Sequence, residues 1–187
     1  MVSLMSLAVP ILVAAVLVFV ASSVIHMVMT YHRNDFAKLP NEEEVLATFR
    51  KLNVPAGDYV APFCNTPESM KEPAYLENMK RGPGLVVTVW QTATFNMGAT
   101  MGQWFVYILI VSFFTGYVLS RVFPAGADYM TVFRIAGTVA FMAYALAMPQ
   151  ANIWYQKGWG STLRSMFDGL IYGLMTAGAF GWLWPTM

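Results

Sequence analysis

The feature that most constrains this chain is a long run without charge near its start. Residues 3–29 contain no Asp, Glu, Lys or Arg in 27 positions. As an α-helix rising 1.5 Å per residue, the run would be about 40 Å long, enough to cross the ~30 Å hydrocarbon core of a bilayer. It therefore predicts a transmembrane helix. Because no Lys or Arg precedes the run, we expect it to be retained and not cleaved as a signal peptide.

Three further apolar segments have a similar length. They cover residues 102–120, 130–148 and 161–184, and Arg121 and Pro149 follow the first two. Only 11% of the residues are charged, against ~25% in soluble domains. We expect an all-α integral membrane protein forming one membrane domain over residues 1–187. It would have four transmembrane helices, with a long connection of about 70 residues (30–101) between the first and the second.

The positive charges are distributed unevenly between the two sides of this predicted bundle. Two basic residues, Arg121 and Arg134, fall on one side, and nine fall on the other: Arg33, Lys38, Arg50, Lys51, Lys71, Lys80, Arg81, Lys157 and Arg164. Because Lys and Arg are retained in the cytoplasm, this asymmetry predicts a cytoplasmic connection and both termini outside.

The predicted connection contains local structure signals. Asn41 and Glu44 have capping-box spacing, and an apolar stripe follows, so an amphipathic helix is expected over residues 42–52. Residues 53–67 are rich in Pro, Gly and Asn and indicate an irregular loop. A second short helix is expected from Pro73 to the residues before Gly82. Residues 85–90 are rich in β-branched side chains and predict an extended segment.

Three stretches resemble a family of small, functionally uncharacterised bacterial four-helix membrane proteins. They read SSVIHMVMTYHRNDFAKLPNEE, NMGATMGQWFVYILIVSFF and FDGLIYGLMTAGAFGWLWP. The resemblance implies a bacterial origin and a position in the cytoplasmic (inner) membrane. It supplies no activity, cofactor or catalytic residue.

Small residues recur at helical spacing in the predicted spans. The last span has one at every fourth position, and the second span has a shorter series: Gly169, Gly173, Ala177 and Gly181, and Ser112, Gly116 and Ser120. Such stripes let helices approach closely. They fit packing inside one protomer, self-association, or docking onto another membrane subunit.

Two charged residues lie within the last predicted span. Arg164 and Asp168 are four residues apart and share a helix face, so an intramembrane ion pair is expected. Because a carboxylate inside a membrane is costly unless it is paired, a proton or cation path is the alternative interpretation.

His26 is a candidate ligand at the inner end of the first span. Ser22, one turn earlier, would leave room for a haem or chlorophyll macrocycle on the imidazole. His26 and His32 are about 240° apart around a continuous helix. A two-histidine metal site, for copper for example, would therefore require the helix to break between them.

Several functions are disfavoured by what the chain lacks. A formal net charge of +1 gives no basic field for nucleic acid, and the single Cys64 excludes an intramolecular disulfide. Phosphate-loop, His-Glu-x-x-His and nucleophile-elbow motifs are missing, so we expect no catalytic residue, no enzyme activity and no metal. The sequence favours an accessory membrane subunit, whose partners are lipid, copies of itself or other membrane subunits. A small oligomeric channel or transporter and a haem- or pigment-binding subunit are the alternatives.

The predicted orientation is testable through Cys64. A membrane-impermeant maleimide should leave Cys64 unmodified in intact cells and modify it after permeabilisation, because the 30–101 connection is expected in the cytoplasm. A Cys64→Ser variant controls for background modification. Modification of Cys64 in intact cells would reverse the orientation.

Overall fold

The computed structural model describes residues 2–90 and 92–186. It divides into two compact units, one comprising the residues up to Ala37 and from Asn96 onward, the other comprising Lys38–Phe95. In chain order the elements are α1 (Ala8–Met27), α2 (Glu42–Lys51), β1 (Gly57–Ala61), α3 (Pro73–Arg81), β2 (Leu85–Val89), α4 (Met97–Val122), α5 (Tyr129–Phe141), α6 (Pro149–Tyr155) and α7 (Trp159–Trp182).

Three helical segments of the first unit are long and apolar enough to cross a membrane. They are Met5–Met27, Met97–Val122 and Tyr129–Tyr155. Four such segments were predicted and three are found. The predicted fourth, α7, is not among them because polar residues and glycines lower its mean hydropathy. Much of this polarity is turned inward: Asp168 is 2% exposed and Thr176 is fully buried.

The third span is longer than predicted. Pro149 was expected to end it, but the chain continues from α5 through a π-helical turn at Met142–Leu146 into α6. Pro149 is tolerated because it occupies the first turn of α6, where the backbone N–H is not needed. The wider turn also shifts the side-chain phase, so that Tyr144 and Ala145 are buried.

The glycine stripe of α7 packs within the chain against α5 and the π-helical turn that follows α5. A Cβ added at Gly169 would lie 2.9 Å from the Ala145 Cβ, and one at Gly181 would lie 2.8 Å from the Tyr129 ring. A Cβ at Gly173 would lie 3.3 Å from the Gly137 carbonyl oxygen, and Ala177 is fully buried. The absent side chains therefore let the two helices approach closely.

The small residues of α4 are also used inside the bundle. Ser112 and Ser120 are buried, and a Cβ at Gly116 would lie 3.2 Å from Ile11 of α1 and 3.3 Å from Phe180 of α7. Within the described part of the chain, both predicted small-residue faces thus have neighbours from the same protomer.

The second unit contains a small sheet that the all-α prediction omitted. Strands β1 and β2 pair antiparallel with Tyr59 opposite Val87. The expected extended segment is confirmed as β2, whereas the expected loop is wrong over Gly57–Ala61 because that stretch pairs with β2. Both predicted short helices are present as α2 and α3. The predicted capping box is not formed, since Asn41 adopts a left-handed backbone (φ 52°) and its side chain makes no capping hydrogen bond.

Close packing of α7 on α5 predicts opposite effects of two glycine substitutions in one helix. Gly169→Ala should destabilise the protein by about 1–3 kcal/mol because the new methyl group overlaps Ala145. Gly178→Ala is the matched control, since no atom lies within 4 Å of the position that its methyl group would take. It should stabilise the helix by up to about 1 kcal/mol. Thermal unfolding in mild detergent measures both, and equal effects would contradict the packing.

Candidate functional site

The chain turns sharply after α1. Helical hydrogen bonding ends near Val28, and the turns that follow are closed by bonds from Arg33 N–H to the Thr30 carbonyl (3.1 Å) and from Asp35 N–H to the His32 carbonyl (3.0 Å). As a result, the rings of His26 and His32 lie with their centroids 4.7 Å apart. The break in the helix that a two-histidine site requires is therefore present.

His32 lies between two carboxylates. Its Nδ1 is 2.6 Å from Asp35 Oδ2, and its Nε2 is 2.7 Å from Asp168 Oδ2. Since carboxylates only accept hydrogen bonds, this geometry favours the imidazolium form, which donates from both nitrogens. Burial lowers the pKa of His32, but the hydrogen bonds to Asp35 and Asp168 outweigh burial and raise the pKa above its ordinary value.

Asp168 and Arg164 have different partners from those predicted. Asp168 accepts hydrogen bonds from His32 and from the Tyr31 hydroxyl. Arg164 instead donates from Nε (2.8 Å) and Nη2 (2.5 Å) to Asp35 Oδ1. Helical side chains lean toward the N-terminus, so the long Arg164 side chain extends away from Asp168, which follows it in α7. The expected Arg164–Asp168 pair is replaced by two pairs that reach the segment after α1.

The charges of this site are balanced. The side chains of Asp35 and Asp168 are 14% and 3% exposed, and each faces a cation, Arg164 or protonated His32. The hydrogen bond from His32, followed by that from Arg164, holds the pKa of Asp35 below its ordinary value despite burial. Pairing of this kind is what allows carboxylates to remain ionised away from water.

Three of the side chains converge closely enough to bind one metal ion. One ligand atom from each of His26, His32 and Asp168 lies within 4.8 Å of the other two. His26 is exposed and Asp168 is buried, so the group extends from the surface into the bundle. We call the six residues of this site the polar cluster: His26, Tyr31, His32, Asp35, Arg164 and Asp168.

The space predicted for a macrocycle beside His26 is filled. Ser22 is buried, and its hydroxyl accepts a hydrogen bond (2.9 Å) from the Trp104 indole N–H. The indole thus covers the small residue that was expected to leave room for haem or chlorophyll. The residues around Ser22 do not fit that cofactor.

Two residues of the polar cluster were missed by the sequence reasoning. Tyr31 and Asp35 are short-range neighbours of His32, and the His-x-x-Asp spacing was the available signal. That spacing brings the two side chains together only because the segment turns, which the apolar pattern of α1 does not predict.

The two shifted pKa values predict a bell-shaped pH dependence of stability in the metal-free protein. The contribution of His32 is complete below its ordinary pKa of 6.5 and is lost as pH rises through the raised value. That of Asp35 is complete above its ordinary pKa of 3.8 and is lost as pH falls through the lowered value. Both contributions are complete between about pH 3.8 and pH 6.5, so the melting temperature should be highest in this range.

Substitution separates the two limbs of this profile. His32→Gln should remove the alkaline decline contributed by His32, and Asp35→Asn should remove the acidic decline contributed by Asp35. Melting curves across pH in detergent with a chelator provide the measurement. An alkaline decline of the same size in His32→Gln would contradict the assignment.

The chain was also compared with known proteins. Neither protein-family models nor curated proteins nor solved structures give a match.

Proposed function

We propose that this chain is an integral membrane protein that binds one divalent first-row transition-metal ion through His26, His32 and Asp168. The observation that carries the proposal is the convergence of their ligand atoms within 4.8 Å. Two imidazoles and one carboxylate form a ligand set used for zinc and non-haem iron, in which further positions stay open to water or substrate.

Only a small movement of the three side chains is required for them to bind a metal ion. Ligand atoms about 2.0–2.2 Å from a tetrahedral metal lie about 3.3 Å from one another, so displacements of the ligand atoms by about 1–2 Å suffice to complete the site. The metal would take the place of the proton between His32 Nε2 and Asp168 Oδ2, which are 2.7 Å apart. Exposed His26 offers an entry route for the ion.

The residues behind the ligands support this assignment. Asp35 holds His32 through Nδ1, Arg164 holds Asp35, and Tyr31 donates to Asp168. A carboxylate on the far nitrogen of a ligating histidine fixes ring orientation and raises ligand basicity. This arrangement orients His32 Nε2 toward Asp168 before any metal binds.

We further propose that α7 is a fourth crossing helix in a bacterial inner membrane, with both termini outside. Its 24 residues correspond to about 36 Å of helix. Its packing against α1 and α5, two of the apolar spans, supports this topology. The uneven distribution of Lys and Arg favours this orientation. The metal site would then lie at the cytoplasmic end of the bundle.

Metal binding is favoured over the accessory-subunit and channel functions that the sequence suggested. The glycine stripe of α7 and the small residues of α4 contact other helices of the same chain, so they no longer point to a partner. Association with itself or with other membrane subunits would use a different surface. Asp168, the candidate residue for a proton or cation path, accepts hydrogen bonds from two partners, which favours a fixed role in the site.

The proposal is tested with tag-free protein stripped by a chelator and titrated with Zn²⁺ or Co²⁺. Wild type should bind one ion per chain, and Co²⁺ should show a visible ligand-field spectrum with nitrogen and oxygen ligands. His26→Ala and Asp168→Asn should abolish stoichiometric binding. Asp35→Asn should weaken binding about 10–100-fold, because it loosens a ligand without removing it.

Asp128→Asn is the matched control for loss of a carboxylate. Asp128 caps α5 through the N–H groups of Met130 and Thr131 and lies outside the polar cluster. Its substitution should leave metal affinity unchanged. Wild-type binding by folded His26→Ala and Asp168→Asn would refute the proposed site.

A further inference from the structure

Two tyrosine hydroxyls inside the bundle have no hydrogen-bond partner among the described residues. Tyr144 and Tyr172 are each 4% exposed, and their hydroxyl oxygens are fully enclosed. Their rings meet edge to face, with centroids 5.5 Å apart. Nearly all buried polar groups in proteins form hydrogen bonds with protein atoms or with ordered water. Two buried hydroxyl groups on neighbouring rings therefore require a hydrogen-bond partner.

Both tyrosines neighbour the part of α7 that carries Asp168. Tyr172 is one turn after Asp168 in α7, and its side chain leans back over the turn that carries the carboxylate. Tyr144 belongs to the π-helical turn that packs onto Gly169, where an added Cβ would be 3.3 Å from the Tyr144 Cβ. The Tyr144 and Tyr172 rings are in direct contact, which places both side chains in the same part of the bundle.

We propose that Tyr144 and Tyr172 bind a shared internal water molecule that extends the hydrogen-bond network of the polar cluster into the bundle. A buried water needs two to four polar partners. Each tyrosine hydroxyl donates one hydrogen bond and accepts others, so two hydroxyls provide the necessary donors and acceptors. Asp168, one turn before Tyr172 in α7, is an acceptor that would serve as a third partner.

The position of the water site explains the π-helical turn. A π-helical turn interrupts regular helical packing and frequently marks a functional position. Here it turns Tyr144 inward beside Tyr172, whereas Ala143 and Ala147 of the same stretch face outward. Both alanines are exposed.

Tyrosine-to-phenylalanine substitutions test this inference by the sign of their effect. In chelator-treated protein, Tyr144→Phe and Tyr172→Phe should each lower the melting temperature by about 2–4 °C, because the water loses a partner while the other hydroxyl stays. The double variant should lose clearly less than the sum, because the two hydroxyls share one water.

A dry site gives the opposite result. Removing an unsatisfied hydroxyl would then leave the melting temperature unchanged or raise it, and the two effects would add. Either finding would overturn the inference. Tyr129→Phe, at the other end of α5 and 46% exposed, is the matched control and should change little. Since the experiment is run without metal, its outcome is independent of the proposed metal site.

Discussion

The buried carboxyl group of Asp168 is the constraint on which the site depends. It is almost fully buried in α7, and a charge withdrawn from water must be paired and hydrogen-bonded. Its neighbour Arg164 leans toward the start of the helix, so the partners come from the segment after α1. The need to pair Asp168 thus stabilises the turn that brings Tyr31 and His32 to α7.

The same turn connects the remaining charges. Once His32 approaches Asp168, its other ring nitrogen reaches Asp35, and Asp35 in turn receives Arg164. Each group therefore holds the next in position, and the loss of one leaves another charge without compensation. Such a network restricts side-chain rotation, which is the property a metal site requires of the residues around its ligands.

Close packing of α7 against α5 and the π-helical turn fixes the position of this network in the helix bundle. Glycines in α7 allow α5 to approach until backbone and Cβ atoms are in contact, and the π-helical turn at Met142–Leu146 lies opposite Gly169. Asp168, the residue before Gly169, is held at this contact. Tyr144 belongs to this turn and Tyr172 follows Asp168 by one turn of α7, and both are buried.

The apolar runs by themselves determined the helical membrane class and the approximate positions of the long helices, because burial in lipid demands long stretches without charge. The four-residue glycine spacing likewise determined which face of α7 approaches another helix. Pairing of β1 with β2 was not predictable from residues 53–67, because strand formation there depends on a partner about 28 residues away. The partners of Asp168 and Arg164, and the meeting of His26 with His32, were decided only by the tertiary structure. Helical periodicity gives the direction of a side chain only while the helix continues, and α1 ends between the two histidines.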